Sequence, residues 1–198
     1  MSSLPKQRWT EAEYLAFERA SQEKHEFIDG EIVSMSRASE NHNLIATSTL
    51  SSLFTQIRKG PCKIYPSDMR VRVGKSRQYT YPDISIVCGK PLFAGDQKDT
   101  LLNPIVVVEV LSSSTEAYDR GDKFILYRTL ASLQEYILIS QSRIHIERYI
   151  RQPDNQWLLS EIKELDGSIH LNSVGCTLLA SDVYEQIDFS DVGDDEAP

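Results

Sequence analysis

Glu109 stands alone in an otherwise apolar run, VVVEVL at residues 106–111. In a strand, side chains alternate faces, so Glu109 shares one face with Ile105, Val107 and Leu111 while Val106, Val108 and Val110 fill the other. A carboxylate buried there is costly unless it is neutralised, paired or bound to a metal. Asp83, in YPDISIV, heads a second apolar strand 26 residues upstream. Two carboxylates on neighbouring strands suit a hard divalent cation such as Mg²⁺, which takes oxygen ligands and keeps several waters. Downstream, helical phase counted from Tyr118 puts Lys123 in the arc centred on Tyr127 and Leu130, facing the sheet, with Asp119 one turn earlier on nearly the same line. An inward lysine beside two strand carboxylates is a recognisable catalytic set.

Each of these residues also has a plainer reading. Asp83 after Pro82 suits a turn at a strand entry, Glu109 can be held by backbone amides or by Arg120, and Lys123 can run an apolar stem to the surface. Glu26 either adds a ligand or pairs with Lys24 across a hairpin. His42 either caps and packs its helix or touches metal, water or phosphate. Ser112, Ser113, Ser114 and Thr115 offer hydroxyls, but no Ser-His-Asp spacing supports acyl transfer, so LSSSTE reads as a turn that caps the next helix.

The elements that must position these groups are legible from local signals. Thr10 and Glu13 form a capping box for a helix over about 11–20. Asp29-Gly30 between HEFI and EIVS marks a type I′ hairpin. Ser39 can cap a helix through about residue 58, whose stripe is Ala46, Leu50, Leu53, Phe54 and Ile57, with His42 one turn before Ala46. Strands follow at KIYPSDMRVRV, at residues 81–89 and at 104–112. The segment FAGDQKDTLLN has no apolar period and reads as the most mobile loop. Residues 118–131 read as a helix despite Gly121, SLQEYILIS as a strand, and RIHIERYI with QWLLSEIK as a hairpin. This order gives α/β or α+β architecture, a mixed sheet flanked by helices with extra hairpins at both ends.

With 198 residues, 40% hydrophobic and 25% charged, the chain has the composition of an ordinary globular domain. We expect one domain over residues 1–187 and an acidic, flexible tail over 188–198, where Asp188, Asp191, Asp194, Asp195 and Glu196 lie. No run approaches a membrane span, and MSSLPKQRWTEAEY lacks the apolar region of a signal peptide, which points to the cytoplasm. Cys62, Cys88 and Cys176 form neither a disulfide framework nor a zinc spacing. The net charge of −8 argues against a protein that coats nucleic acid non-specifically. Arg70, Arg72, Lys75 and Arg77 form a local basic cluster that reads as the solvent face of a strand or as a phosphate contact.

Taken together, LPKQRWTEAEYL, HEFIDGEIVSMS, YPDISIV and VVVEVLSSSTEAYDRGDKFILYRTLASLQEYILI resemble the Putative restriction endonuclease family of the PD-(D/E)XK nuclease superfamily, over nearly the whole chain. Pro82-Asp83 matches the opening of the motif and Glu109 its second acid. The expected lysine two residues after that acid is Leu111 here, and the resemblance implies that Lys123, in DRGDK, has taken its place from the following helix. It further implies a restriction endonuclease-like core and Mg²⁺- or Mn²⁺-dependent hydrolysis of phosphodiester bonds in DNA. Asp83 and Glu109 would hold the metal, Lys123 would be catalytic, and Glu26 and His42 would be additional site residues. A homodimer or higher homo-oligomer is implied as well. Against these stand a nuclease-like fold that binds without cutting and hydrolysis of a small phosphoester.

Overall fold

The structure is a computed structural model that describes residues 8–35, 37–74 and 78–189. Helix α1 (Glu11–Ala20) begins at Thr10, whose side chain accepts from the Glu13 amide while Glu13 returns to the Thr10 amide. Strands β1 (His25–Ile28) and β2 (Glu31–Ser34) pair across Asp29 and Gly30, with φ of 50° and 85°, the two left-handed residues that a type I′ turn needs. Helix α2 (Glu40–Ile57) starts at Ser39, whose hydroxyl accepts from the His42 amide. Its buried line is Ile45, Thr49, Leu53 and Ile57, while Phe54 is half exposed. The buried stripe is therefore rotated from the expected one, because Phe54 falls outside the sector that packs on the sheet.

KIYPSDMRVRV is two strands rather than one. β3 (Cys62–Pro66) ends in a turn closed by the Met69 amide on the Pro66 carbonyl, and β4 (Arg70–Val73) then enters a different sheet. β5 (Gln78–Thr80) precedes β6 (Ile84–Cys88), and β7 (Thr100–Leu101) precedes β8 (Val106–Leu111). β7 lies inside the segment expected to be a mobile loop, where it pairs parallel to β4 and is reinforced by a bridge from Phe93 to Leu101. The expected single helix over 118–131 is instead α3 (Glu116–Arg120) and α4 (Asp122–Tyr127), broken at Gly121 with φ −103° and ψ −99°. Thr115 precedes α3 without a side-chain capping bond; the Ser112 carbonyl accepts the Thr115 and Glu116 amides, so LSSSTE turns through its backbone.

β9 (Glu135–Ser140), β10 (Ile146–Arg151) and β11 (Trp157–Ile162) follow, then a second hairpin of β12 (Ser168–Leu171) and β13 (Cys176–Leu179), and α5 (Ala180–Val183). The main sheet has the order β11-β10-β9-β8-β6-β3, and a second sheet the order β2-β1-β5-β4-β7. Within the main sheet β8 and β9 run parallel, so the chain must cross over between them, and α3 and α4 are that crossover. Val106, Val108 and Val110 join Ile45, Leu53 and Ile137 in one core cluster, while Val107 and Leu111 join Phe124, Tyr127 and Tyr136 in another. β8 is thus buried on both faces, and the alternation expected around Glu109 holds.

Two further expectations fail for reasons of long-range pairing. Cys62 and Cys88 are directly opposed in the β3–β6 register and form a disulfide, leaving Cys176 free and buried. Arg70 is 3% exposed, not on a solvent face. Its guanidinium meets Asp99 at 3.0 Å, Thr100 at 3.0 Å and the Tyr81 hydroxyl at 3.2 Å. Lys75 and Arg77 of the basic cluster, and residues 190–198 of the acidic tail, lie outside the described residues.

Candidate active site

Five charged side chains from five elements meet at the side of the main sheet that carries the crossover. Asp83 sits immediately before β6, and its Oδ2 accepts the Val110 amide at 2.7 Å. The same oxygen stands 3.3 Å from Nε2 of His42, in the first turn of α2. Asp83 is thereby tied to the backbone beside Glu109.

Glu109 is 3% exposed, and its Oε1 accepts the Tyr127 hydroxyl at 2.9 Å and faces Lys123 Nζ at 3.0 Å. Because the Tyr127 proton is committed to Glu109, the 2.9 Å contact between Tyr127 and Thr80 has the threonine as donor. Lys123 also reaches Asp119 Oδ1 at 3.2 Å, one turn earlier, and Glu26 Oε1 at 3.4 Å on β1. Its ammonium is thus shared among three carboxylates. Lys24, the expected partner of Glu26, pairs instead with Asp68, and Arg120 pairs with Glu116 and Glu147 rather than with Glu109.

The electrostatics follow from this crowding. Burial pushes the Glu109 carboxyl well above the usual carboxylate range; Lys123 pulls it down, and Asp119, Asp83 and Glu26 push it further up. For Lys123, burial acts to lower the value, but Glu109, Glu26, Tyr127 and Asp119 outweigh it and hold the ammonium well above the ordinary lysine range. Three carboxylates, from Glu26, Glu109 and Asp119, thus share one buried ammonium, and a fourth, from Asp83, acts on Glu109. The surplus negative charge favours every bound cation, proton or metal. This donor set consists of oxygens and carries excess negative charge, which fits Mg²⁺ or Mn²⁺.

These groups line a groove of about 1380 Å³ that runs past Lys24, Arg37, Ser112, Tyr118 and Gln141. Three polar atoms of its lining are buried without a hydrogen-bond partner: Nδ1 of His42, the Tyr118 hydroxyl and Oδ1 of Asp119, the last facing Lys123 at ion-pair distance. Asp83, Glu109, Lys123, Glu26 and His42, the five residues singled out by sequence, all line this groove. Tyr127 and Tyr118 were not singled out. Tyr127 lies one turn after Lys123 on the same helical face, and that spacing was the available signal.

The profile of the family described as "Uma2: Putative restriction endonuclease" matches residues 11–180. Two relatives from Synechocystis sp. are similar over most of their length. "Uncharacterized protein slr1290" is 37% identical over 190 residues, covering 94% of this chain and 97% of its own. "Uncharacterized protein sll1609" is 40% identical over 153 residues, covering 77% of this chain and 86% of its own. A crystal structure from Anabaena variabilis, titled as a "putative nuclease belonging to DUF820", superposes with a TM-score of 0.73 at 17% identity. It covers 88% of this chain and 96% of that one, so the two share a fold. A mixed sheet flanked by helices, on a nuclease-type fold, is the class of protein that these features define. This chain belongs to the Uma2 family of restriction endonuclease-like proteins.

Proposed function

We propose that this chain is a metal-dependent endonuclease that hydrolyses phosphodiester bonds in DNA. The observation that carries the reading is the approach of Lys123 from the crossover helix to Glu109 on the strand, 3.0 Å apart, beside Asp83 in an open groove. Asp83 and Glu109 would hold Mg²⁺ or Mn²⁺, which when bound lowers the pKa of a water and polarises the phosphoryl oxygen. His42 and the Val110 amide fix the Asp83 carboxylate, and Tyr127 fixes that of Glu109. Lys123, kept charged by its carboxylate neighbours, orients the attacking water or offsets charge that develops on the phosphate. Glu26 competes for the ammonium of Lys123 and stands ready as a further oxygen ligand.

Nicking of supercoiled plasmid with Mg²⁺ or Mn²⁺ tests this reading. We expect cleavage by the wild-type chain and its loss in Asp83→Ala and Glu109→Ala. Cleavage that persists in both variants, or none on supercoiled, linear and single-stranded DNA, overturns it. The net charge of −8 favours a second reading, a nuclease-like fold that binds or regulates without cutting. In that case the two carboxylates need bind no Mg²⁺, and calorimetry separates the two readings.

A homodimer that brings two grooves to two strands is part of the proposal, as is a cytoplasmic setting for a single domain over residues 1–187. No helix among the described residues is long and apolar enough to cross a membrane. Edge strand β11, with Leu158 57% and Leu159 44% exposed, is the surface offered for pairing. Light scattering on the eluting protein reports the mass directly.

A further inference from the structure

A second convergence of ligand atoms lies on β10 and β11, away from the groove. Among the described residues, the group of three metal-binding side chains whose ligand atoms lie within 4.8 Å of one another is His145, Glu147 and Glu161, not the Asp83 and Glu109 set. The register explains the convergence. Glu147 and Glu161 are directly opposite across the antiparallel pair, and His145 lies two residues before Glu147, so all three project from one face. Two like charges directly opposed destabilise a sheet unless a cation lies between them.

The geometry of the carboxylates is divided. Oε2 of Glu147 is taken by Arg120 and Oε1 of Glu161 by Lys163 at 3.1 Å. The other oxygen of each faces the imidazole: Nε2 of His145 is 3.6 Å from Glu147 Oε1 and 2.9 Å from Glu161 Oε2. Ligands about 2.1 Å from a tetrahedral zinc stand roughly 3.4 Å apart, so these separations bracket the coordinated value. His145 and Glu147 are buried, at 8% and 7% exposed, and Glu161 is exposed, which gives two firmly held ligands and an open side for entry and for water. Arg120 and Lys163 hold the outer oxygens in the way that outer partners orient metal-bound carboxylates.

The geometry points to a binding site for a divalent transition ion, of the class of Zn²⁺, formed by His145 Nε2, Glu147 Oε1 and Glu161 Oε2. One imidazole and two carboxylates suit such an ion better than the all-oxygen groove does. Its role is structural, joining β10 to β11 and, through Arg120, to the helix that carries Asp119. This site does not depend on the reading of the groove as a nuclease centre.

The test is calorimetric titration of Zn²⁺ into the full chain carrying Asp83→Asn and Glu109→Gln, which removes the two carboxylates proposed to hold the groove's metal. We expect one equivalent to bind, and binding at least tenfold weaker when His145→Gln or Glu161→Gln is added. Glu161 is exposed and glutamine can keep a hydrogen bond to His145, so that variant should retain the fold, as circular dichroism can verify. No binding to the double variant, or binding unchanged by both added substitutions, overturns the site.

Discussion

Lys123 Nζ and Glu109 Oε1 stand 3.0 Å apart although the two residues belong to different elements, α4 and β8. Leu111, two residues after Glu109, is 3% exposed and packs with Val107 and Phe124. A lysine there would have to displace that packing. The strand is therefore free to be apolar on both sides of its one carboxylate, and the helix delivers the charge.

Removing that charge should be felt first in stability. Lys123→Met leaves Glu26, Glu109 and Asp119 together without their cation, and breaking a buried pair from one side costs ~3–5 kcal/mol. Urea denaturation without divalent metal is expected to show a loss of that order. A loss below about 1 kcal/mol would mean that the lysine does not compensate those carboxylates.

Glu109 predicts a pH dependence of opposite sense to that of an ordinary salt-bridged acid. Its folded value lies above the usual 4.5, so the metal-free fold has this stability in full below that value and loses it as pH rises through the raised one. Glu109→Gln removes the titration while leaving an acceptor for Tyr127. Thermal melts in a chelator should show the variant gaining on the wild type as pH rises above 4.5. Added Mg²⁺ should stabilise the wild type and not the variant.

His42 touches Asp83 at 3.3 Å and, in the proposed site, would act on a bound metal through that carboxylate. Loss of such an outer partner typically weakens metal binding about 10–100-fold. His42→Ala is expected to weaken Mn²⁺ binding in that range without preventing folding. Unchanged affinity would return His42 to a purely structural role.

Outside the groove lining, Asp99→Ala should destabilise the fold by about 3 kcal/mol, because it leaves the buried guanidinium of Arg70 without its carboxylate. Asp99 also accepts from Arg19 at 2.9 Å, so chemical denaturation should report the loss of both contacts.

What could be read from the sequence was what depends on near neighbours. Thr10 with Glu13, Ser39 before α2, Asp29-Gly30 and the faces of β8 all act within a few residues, and each stands in the structure as its local chemistry required. The residues that line the groove were legible because a carboxylate inside an apolar run and a lysine on the inner arc of a helix both violate the surrounding pattern. What escaped was set by distant partners. Cys62 finds Cys88 only through the β3–β6 register, and Arg70 is buried only because Asp99 and Thr100 arrive with β7. Periodicity likewise placed Phe54 inward, whereas the packing of α2 leaves it at the rim and buries Thr49.

Two parallel strands need a crossing segment, and in this chain the crossing from β8 to β9 carries Asp119 and Lys123 into the groove and Tyr127 onto Glu109. A connection that geometry would require of any such sheet has thus become the arm that sets the distance between charges. Length is therefore constrained there in a way it is not at a surface turn, because the turn at Ser112 and the break at Gly121 together set where Lys123 meets Glu109. The β10–β11 turn over residues 152–156 carries no such burden, and it is the place where this fold would accept an inserted segment.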